Sequence, residues 1–379
     1  MRLEAGGSRQ ERKQHSTMQT ISKTIETEGL KPPVASVGVI GWVRGNLFSG
    51  PLSSFLTVVT LLLMVKAIPP LVKWAFIDSV WYTPSEVCKT CVGACWSIVT
   101  QNLRFILFGF YPYESHWRPL LSLILFAILI LYSSYRAHWK KSLFYLWVLT
   151  LLVIGLLMKG GLFGLTGVET TKWSGLPITL LLSVFTMAIA YPLGVIIALC
   201  RRSKLPIIRG LSIVYIEVIR GVPLISLLFM SAIMFPLFMP EGMTVDKLIR
   251  ASVALIMFTS AYIAEVVRGG LQGMSKGQYE AAESIGLNYF QTMRLVILPQ
   301  ALKMVIPPTV GILVAAFKDT SLLVIIAIYD LLKTTQTVLS DPPWMGYSSE
   351  AYIFISIFYF AGCFSLSSLS RKLEKELQR

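Results

Sequence analysis

Between Tyr279 and Gln300 the chain reads YEAAESIGLNYFQTMRLVILPQ, a polar, helix-forming stretch. It is set between two apolar runs, Phe258 to Val267 before it and Val305 to Phe317 after it. A segment of this kind has to lie in water while its neighbours do not. Over the 379 residues the hydrophobic fraction is 54% and only 14% are charged, with a mean hydropathy of +0.66. That composition belongs to membrane proteins, since no soluble core of this size needs so much apolar surface.

In hydrocarbon every backbone N–H and C=O must be paired within the protein, so stretches of roughly 17–25 apolar residues read as spanning helices. The expected fold is an all-α membrane protein with about eight transmembrane helices. Their expected cores are Leu52 to Phe76, Pro119 to Ser133, Ser142 to Met158, Leu176 to Cys200, Leu211 to Met239, Leu248 to Val267, Lys303 to Ile328 and Ala351 to Leu369. The first is expected to break at Pro69-Pro70, its end lying along the interface with Lys66 and Lys73 snorkelling. The fifth is too long for one straight span and is expected to be interrupted at Arg220-Gly221-Val222-Pro223.

Basic residues orient the spans. Alternate connecting segments hold fifteen Lys and Arg on one side (among them Lys140, Arg201, Arg268 and Arg371) and seven on the other. The positive-inside rule puts the richer side, the quoted stretch and both termini in the cytoplasm. The formal charge of +14 is accounted for by these flanks, and no nucleic-acid partner is implied; membrane lipid is the expected surround. Residues 1–46 read as a mobile cytoplasmic tail and 372–379 as a C-terminal tail, and the N-terminus lacks the apolar region and cleavage site of a signal peptide.

Catalytic constellations are not evident. The three histidines, His15, His116 and His138, fall in tail or loops, and H-E-x-x-H, G-x-S-x-G and Walker A patterns are missing from the sequence. The chain is expected not to be an enzyme, to bind no cofactor or metal itself, and to leave any ATP chemistry to another chain. Cys88, Cys91 and Cys95 lack the fourth ligand of a metal site. They read as small apolar residues on an amphipathic helix from Val92 to Phe105, with a disulfide between two of the three as the alternative.

Within the quoted stretch, Gln278 to Ile285 is a good helix, Gly286 permits a turn, and Asn288 caps a second helix, Tyr289 to Ile297, that Pro299 is expected to end. Tyr289, Phe290 and Met293 would be free to enter a partner's groove. The spacing Glu280-Ala281-Ala282, Gly286, Val296, Leu298-Pro299 resembles the EAA loop of the membrane subunits of binding-protein-dependent ABC importers. The segments YIEVIRGVPLI (Tyr215–Ile225), SAYIAEVVRGGLQGMSKGQ (Ser260–Gln278) and FKDTSLL (Phe317–Leu323) are similar to the polar amino-acid subgroup of that family. The N-terminal helices, with GACW (Gly93–Trp96) and FGFYPYESHWRP after it, are similar to its larger general L-amino-acid permease subunits.

The resemblance implies a five-helix permease core at 176–371 with a cytoplasmic coupling loop at 268–303, and an extension of three helices with an external loop at 47–175. It implies import of L-amino acids across a bacterial inner membrane, driven by ATP on a partner ATPase dimer. A periplasmic amino-acid-binding protein and a second permease subunit, a paralogue rather than a copy, complete the implied assembly. Glu280, Ala281, Ala282, Gly286, Tyr289, Phe290, Leu298 and Pro299 would then serve ATPase coupling.

A zwitterionic substrate needs a cationic and an anionic partner. Arg220 and Lys318, both expected near mid-bilayer and facing one another with Asp319, are the candidates for the carboxylate. Asp319, Glu217 or Glu265 would meet the ammonium, and Thr320, Ser321, Ser260 and Tyr262 add neutral hydrogen bonds. The plainer reading makes Glu217 with Arg220, and Glu265 with Arg268, structural i,i+3 pairs. An ion-gradient-driven secondary transporter is the alternative function, but it has no use for an ATPase-docking loop. A non-transporting scaffold has no use for buried charges of both signs.

Overall fold

In a computed structural model the described residues are 38–377, apart from 162–163 and 243. The tail expected at 1–46 therefore falls mostly outside them, and its last part, Gly38–Asn46, is helical rather than irregular. Among the described residues the fold is helical, with two isolated β-bridges, Val80 to Cys95 and Gly175 to Asp330. The chain divides into two compact units at Asp78.

The first unit is built on helix α1, Pro51–Val72, none of whose residues is buried. The expected break at Pro69-Pro70 does not occur. The helix passes through both prolines and continues as a π-helical turn, Lys73–Ile77, giving a 27-residue apolar span. A wider turn leaves room for a proline ring and for the carbonyl that loses its donor, so two prolines near a helix end need not stop it.

The second unit holds the remaining spans. Helix α2 is Ser97–Phe108, outside the spanning set, and α3 (Trp117–Ser133) and α4 (Lys141–Lys159) form a hairpin. Then follow α5 (Gly175–Arg201), the bent pair α6 (Pro206–Gly221) and α7 (Leu224–Phe229, prolonged to Leu237), α8 (Lys247–Gln272), α9 (Lys276–Ser284), α10 (Ile306–Asp319), α11 (Leu331–Leu339) and α12 (Ser348–Leu377). Among the described residues seven helices are long and apolar enough to cross a membrane, or eight if the bent pair is one span. The C-terminal tail expected at 372–379 is, up to Leu377, the last turns of α12.

Helices α5 and α8 form the axis of the unit, and they run parallel. Ile178 and Leu182 pack with Ala251, Ala254 and Leu255; further along, Gly194 lies against Ser260 and Ile263; at the end Arg201 meets Glu265. Two parallel spans need one crossing between them, so α6 and α7 together make a single span and the total is eight. Their axes differ by 104° at Val222-Pro223, because Pro223 has no N–H for the helical ladder and disfavours helix at the residue before it.

The parallel packing gathers the chain into two ends. At one end Thr170 donates to Asp246, Lys247 Nζ donates to the Ala327 carbonyl at 3.1 Å, and Gly175 N donates to the Tyr329 carbonyl at 2.7 Å. Gly175 has φ +71, and a Cβ there would lie 2.0 Å from the Leu107 carbonyl oxygen. Only glycine fits that junction of α2 with α5. The same end carries a Cys88–Cys95 disulfide, with Cys91 free. The amphipathic helix expected from Val92 starts only at Ser97, so the cysteines stand in a short helix and loop instead. Cys95 N donates to the buried Glu350 carboxylate at 3.0 Å, which pins the loop to the start of α12.

A Cβ at Gly194 would approach Ile263 Cγ2 to 2.7 Å and the Ser260 carbonyl to 2.9 Å. Gly194→Ala is therefore expected to destabilise the purified protein by about 1–3 kcal/mol, the usual cost of overpacking. Gly210→Ala, on α6 with open space around it, should be neutral or better. Comparing melting temperatures of the two variants checks this, and equal values would separate the α5–α8 seam from stability.

Candidate functional site

The end opposite Gly175 carries two features, an arginine–glutamate cluster and the helical hairpin containing the quoted stretch. At the centre of the cluster is Glu265, about two turns from the end of α8. Its carboxylate meets Arg268 (Nε at 2.9 Å), Arg201 from α5 (3.2 Å) and Arg220 from α6 (3.7 Å). Arg201 also pairs with Glu217 at 3.1 Å. Three cations and two anions leave a net charge of +1, and the Arg220 Nε is buried without a partner. The Arg220 guanidinium lies 5.4 Å from the Tyr262 ring centroid, a cation–π contact.

Sequence neighbours explain half of this. The expected Glu265–Arg268 pair is present, one turn apart on α8. Glu217 does not pair with Arg220; it turns to Arg201, sixteen residues back. Arg201 was legible only as a basic residue ending an apolar run, and nothing local marks it as the residue joining two glutamates from different helices. Arg220, expected to face Lys318 and Asp319, is paired within this cluster instead. It shares Glu265 with Arg201, the last residue of α5, just ahead of the 104° bend between α6 and α7.

Lys318 and Asp319 stand apart from that cluster. They lie about 18 Å along α10 from its start at 1.5 Å per residue, Lys318 exposed and Asp319 half-buried. Among the described residues no ion pair or hydrogen bond joins them to Arg220, Glu217 or Glu265. Thr320 is buried and donates to the Phe317 carbonyl at 2.7 Å, while Ser321 donates to the Lys318 carbonyl at 2.8 Å. The Ser260 hydroxyl is fully buried and shared with Tyr215 Oη at 2.8 Å, which locks α6 to α8.

The hairpin starts with α9, turns at Gly286 (φ +79), and resumes at Tyr289. Asn288 and Gln291 form a reciprocal capping box, the Gln291 N–H bonding Asn288 Oδ1 at 2.9 Å and the Asn288 N–H bonding Gln291 Oε1 at 3.0 Å. Pro299 does not end the second helix as expected. A π-helical turn, Thr292–Ile297, precedes it, and helix continues over Leu298–Met304. Ile285, Tyr289 and Phe290 are exposed, Phe290 at 81%. Met293, expected on that face, is buried with Ile297 and Ala301 against Val267 and Leu271 of α8. Of the Glu280-Ala281-Ala282 triplet, Ala282 is buried and the first two residues face outward.

At the other end, Asp330 caps α11 by accepting from Lys333 N at 2.8 Å, and its second oxygen accepts from Tyr359 at 3.3 Å. Burial pushes its carboxyl up to about 6, against the opposing pull of these hydrogen bonds. No sequence signal marked it beyond its place before an apolar helix.

The family described as binding-protein-dependent transport system inner membrane component matches residues 190–379. The chain is 47% identical over 336 residues, 88% of its length and 92% of the relative's, to the inner membrane amino-acid ABC transporter permease protein YhdY of Escherichia coli (strain K12). This chain belongs to that transport family. As an inner membrane component it is a multi-pass permease and not a catalytic subunit. It is also 34% identical, over 94% of its length and 98% of the relative's, to the glutamate/glutamine/aspartate/asparagine transport system permease protein BztC of Rhodobacter capsulatus. A crystal structure of an amino acid ABC transporter with histidines matches 53% of this permease and 92% of that chain at 32% identity, with a TM-score of 0.48. The family match begins only at residue 190, whereas YhdY is matched over most of the chain, so much of the N-terminal extension is shared with that relative.

Two outcomes are expected. Glu265→Gln should cost about 1.5–3 kcal/mol, as charged hydrogen bonds to it are lost, while Glu217→Gln, exposed and singly paired, should cost under about 1 kcal/mol. Equal losses in melting temperature would remove Glu265 from the centre of the cluster. For Asp330 the folded carboxyl holds its proton to higher pH than the unfolded one, so the folded state binds more protons between the two values. Stability from this group is gained as pH falls through about 6 and lost as pH rises. The melting-temperature difference between the wild type and Asp330→Asn should therefore favour the wild type more at pH 5 than at pH 7.5.

Proposed function

We propose that the chain carries polar L-amino acids inward through the bacterial inner membrane, with ATP hydrolysed on separate subunits that dock on the hairpin of α9 and Tyr289–Met304. It is the permease subunit of an ABC amino-acid importer, and such a subunit works with an ATPase and a substrate-binding protein. The observation that carries the mechanism is the hairpin itself. Its spacing resembles the EAA loop, its turn and caps are rigid, and its exposed apolar tip, Ile285, Tyr289 and Phe290, has the form of a helix-in-groove ligand. In this reading Glu280, Ala281, Gly286 and Phe290 meet the ATPase, while Ala282, Leu298 and Pro299 hold the hairpin to the membrane helices.

In the same reading both termini and the hairpin are cytoplasmic, and the end holding Gly175, Asp330 and the Cys88–Cys95 loop faces the periplasm. The unequal distribution of Lys and Arg supports it, as does the disulfide, which suits an oxidising compartment. The ATPase is a dimer, the binding protein is periplasmic, and a second permease subunit, a paralogue, completes the pathway. Residues 47–175 form the extension and α5 to α12 the core.

Lys318 and Asp319 are the proposed substrate contacts, meeting the carboxylate and the ammonium respectively, with Thr320 and Ser321 shaping the backbone beside them. Among the described residues they have no ion partner, and they lie within the spanning segment Ile306–Ile326, which supports the assignment. Arg220, Glu217, Glu265 and Tyr262 belong to a cluster already engaged with itself, and Ser260 is bonded to Tyr215; in this reading they hold the inner end of the pathway and meet substrate as it leaves.

Reconstitution of the co-purified complex in proteoliposomes tests the proposal. Uptake of labelled L-glutamine or L-glutamate is expected to require ATP and the binding protein. Gly286→Val, strained at positive φ, should uncouple ATP hydrolysis from uptake. Asp319→Asn should lower uptake per complex by about tenfold or more, the equivalent of one charge-assisted hydrogen bond. Uptake driven by an ion gradient without ATP would overturn the proposal, and normal uptake per complex in Asp319→Asn would remove the substrate assignment.

A further inference from the structure

The extension carries a cavity that the transport reading does not use. It measures about 530 Å³ and lies between α2 and the turn that enters α3, lined by Gln101, Asn102, Arg104, Tyr111, Tyr113 and His116 among others. Among the described residues no carboxylate lines it, so its permanent charge is the Arg104 guanidinium. Arg104 lies 4.7 Å from the Tyr113 ring centroid and donates to the Tyr113 hydroxyl. That contact fixes the guanidinium plane, and only one of its five N–H groups is used by it.

His116 supplies the second requirement. Its ring rests against Phe108 and Tyr113, both at 5.1 Å between centroids, and its Nε2 donates to the Tyr111 carbonyl at 2.8 Å. With the ring proton on Nε2, Nδ1 is an acceptor, and it is buried with no hydrogen-bond partner. A buried acceptor of this kind costs free energy until a donor reaches it. A ligand that answers both groups carries an oxyanion for Arg104 and, a few bonds away, an O–H or N–H for His116.

The position of the cavity selects among such molecules. The spanning segment that contains α3 starts at Tyr113, which is itself part of the lining. Phe110 and Trp117 beside it are exposed, in the manner of aromatic side chains at a membrane–water boundary. This is the depth of lipid head groups. We propose that the cavity binds a phospholipid head group, its phosphodiester on Arg104 and its terminal hydroxyl or ammonium donating to His116 Nδ1.

The test uses the co-purified complex in detergent, stripped of lipid and examined by native mass spectrometry with added dioleoylphosphatidylglycerol, dioleoylphosphatidylcholine or inorganic phosphate. Phosphatidylglycerol is expected to be retained more tightly than phosphatidylcholine, whose quaternary ammonium has no proton to donate. Arg104→Gln should weaken retention about tenfold, as expected for one charge-assisted contact, and Arg104→Lys should restore most of it. His116→Phe, which keeps the ring packing, should erase the preference for phosphatidylglycerol over phosphatidylcholine. Equal retention by the wild type and by Arg104→Gln would overturn the proposal. Arg104-dependent binding of inorganic phosphate with no lipid retained would assign the cavity to a soluble phosphate and overturn the lipid source.

Discussion

The close approach of two parallel helices at Gly194 is the constraint from which the rest of the second unit follows. Because α5 and α8 touch backbone to side chain there, their ends are brought into register, and residues far apart in sequence meet at both ends. Arg201 reaches Glu265 at one end, while Gly175, Asp246 and Ala327 converge at the other. Parallel packing also dictates connectivity, since a chain leaving α5 must cross once before it can begin α8. The strongly bent pair α6 and α7 is the solution this sequence uses.

Prolines mark the places where the chain departs from regular helix, but they do so in different ways. At Val222-Pro223 the helix breaks with a 104° change of direction. At Pro69-Pro70 and at Pro299 it continues, with a π-helical turn adjoining the proline. The difference lies in what surrounds each. Ahead of Pro299, Met293 and Ile297 are buried against α8, and this packing holds the helix in line across a site where local propensity would end it.

Much of the architecture was legible because hydrocarbon imposes a long, simple signal. Eight spans, the interruption in the fifth, the turn at Gly286 and the cap at Asn288 all follow from apolar length, proline, glycine and capping chemistry within a few residues. Charge pairing was less legible. The i,i+3 pair on α8 is a local fact and was found, whereas Glu217 chooses Arg201 over its neighbour Arg220 because of how α5 and α6 lie against each other. The same holds for Asp330, whose burial depends on α12 bringing Tyr359 beside it, and for Cys88 and Cys95, paired by a loop that is anchored through Glu350. Such facts belong to tertiary structure and leave no periodic trace.

The passage of helix from the hairpin into the spanning helix α10, broken only at Val305, has a mechanical meaning. Tyr289–Gln291, the π-helical turn and Leu298–Met304 form one stiff rod that joins α10 across a single irregular residue, Val305. Asp319 lies fourteen residues beyond Val305, a lever arm of about 21 Å at 1.5 Å per residue. An angular displacement of only about 10° at that pivot would sweep the far end of the arm through about 4 Å, roughly the distance over which a charged contact is made or lost. Leverage of this sort would turn a small torque at the hairpin into a displacement of several ångströms at the far end of α10.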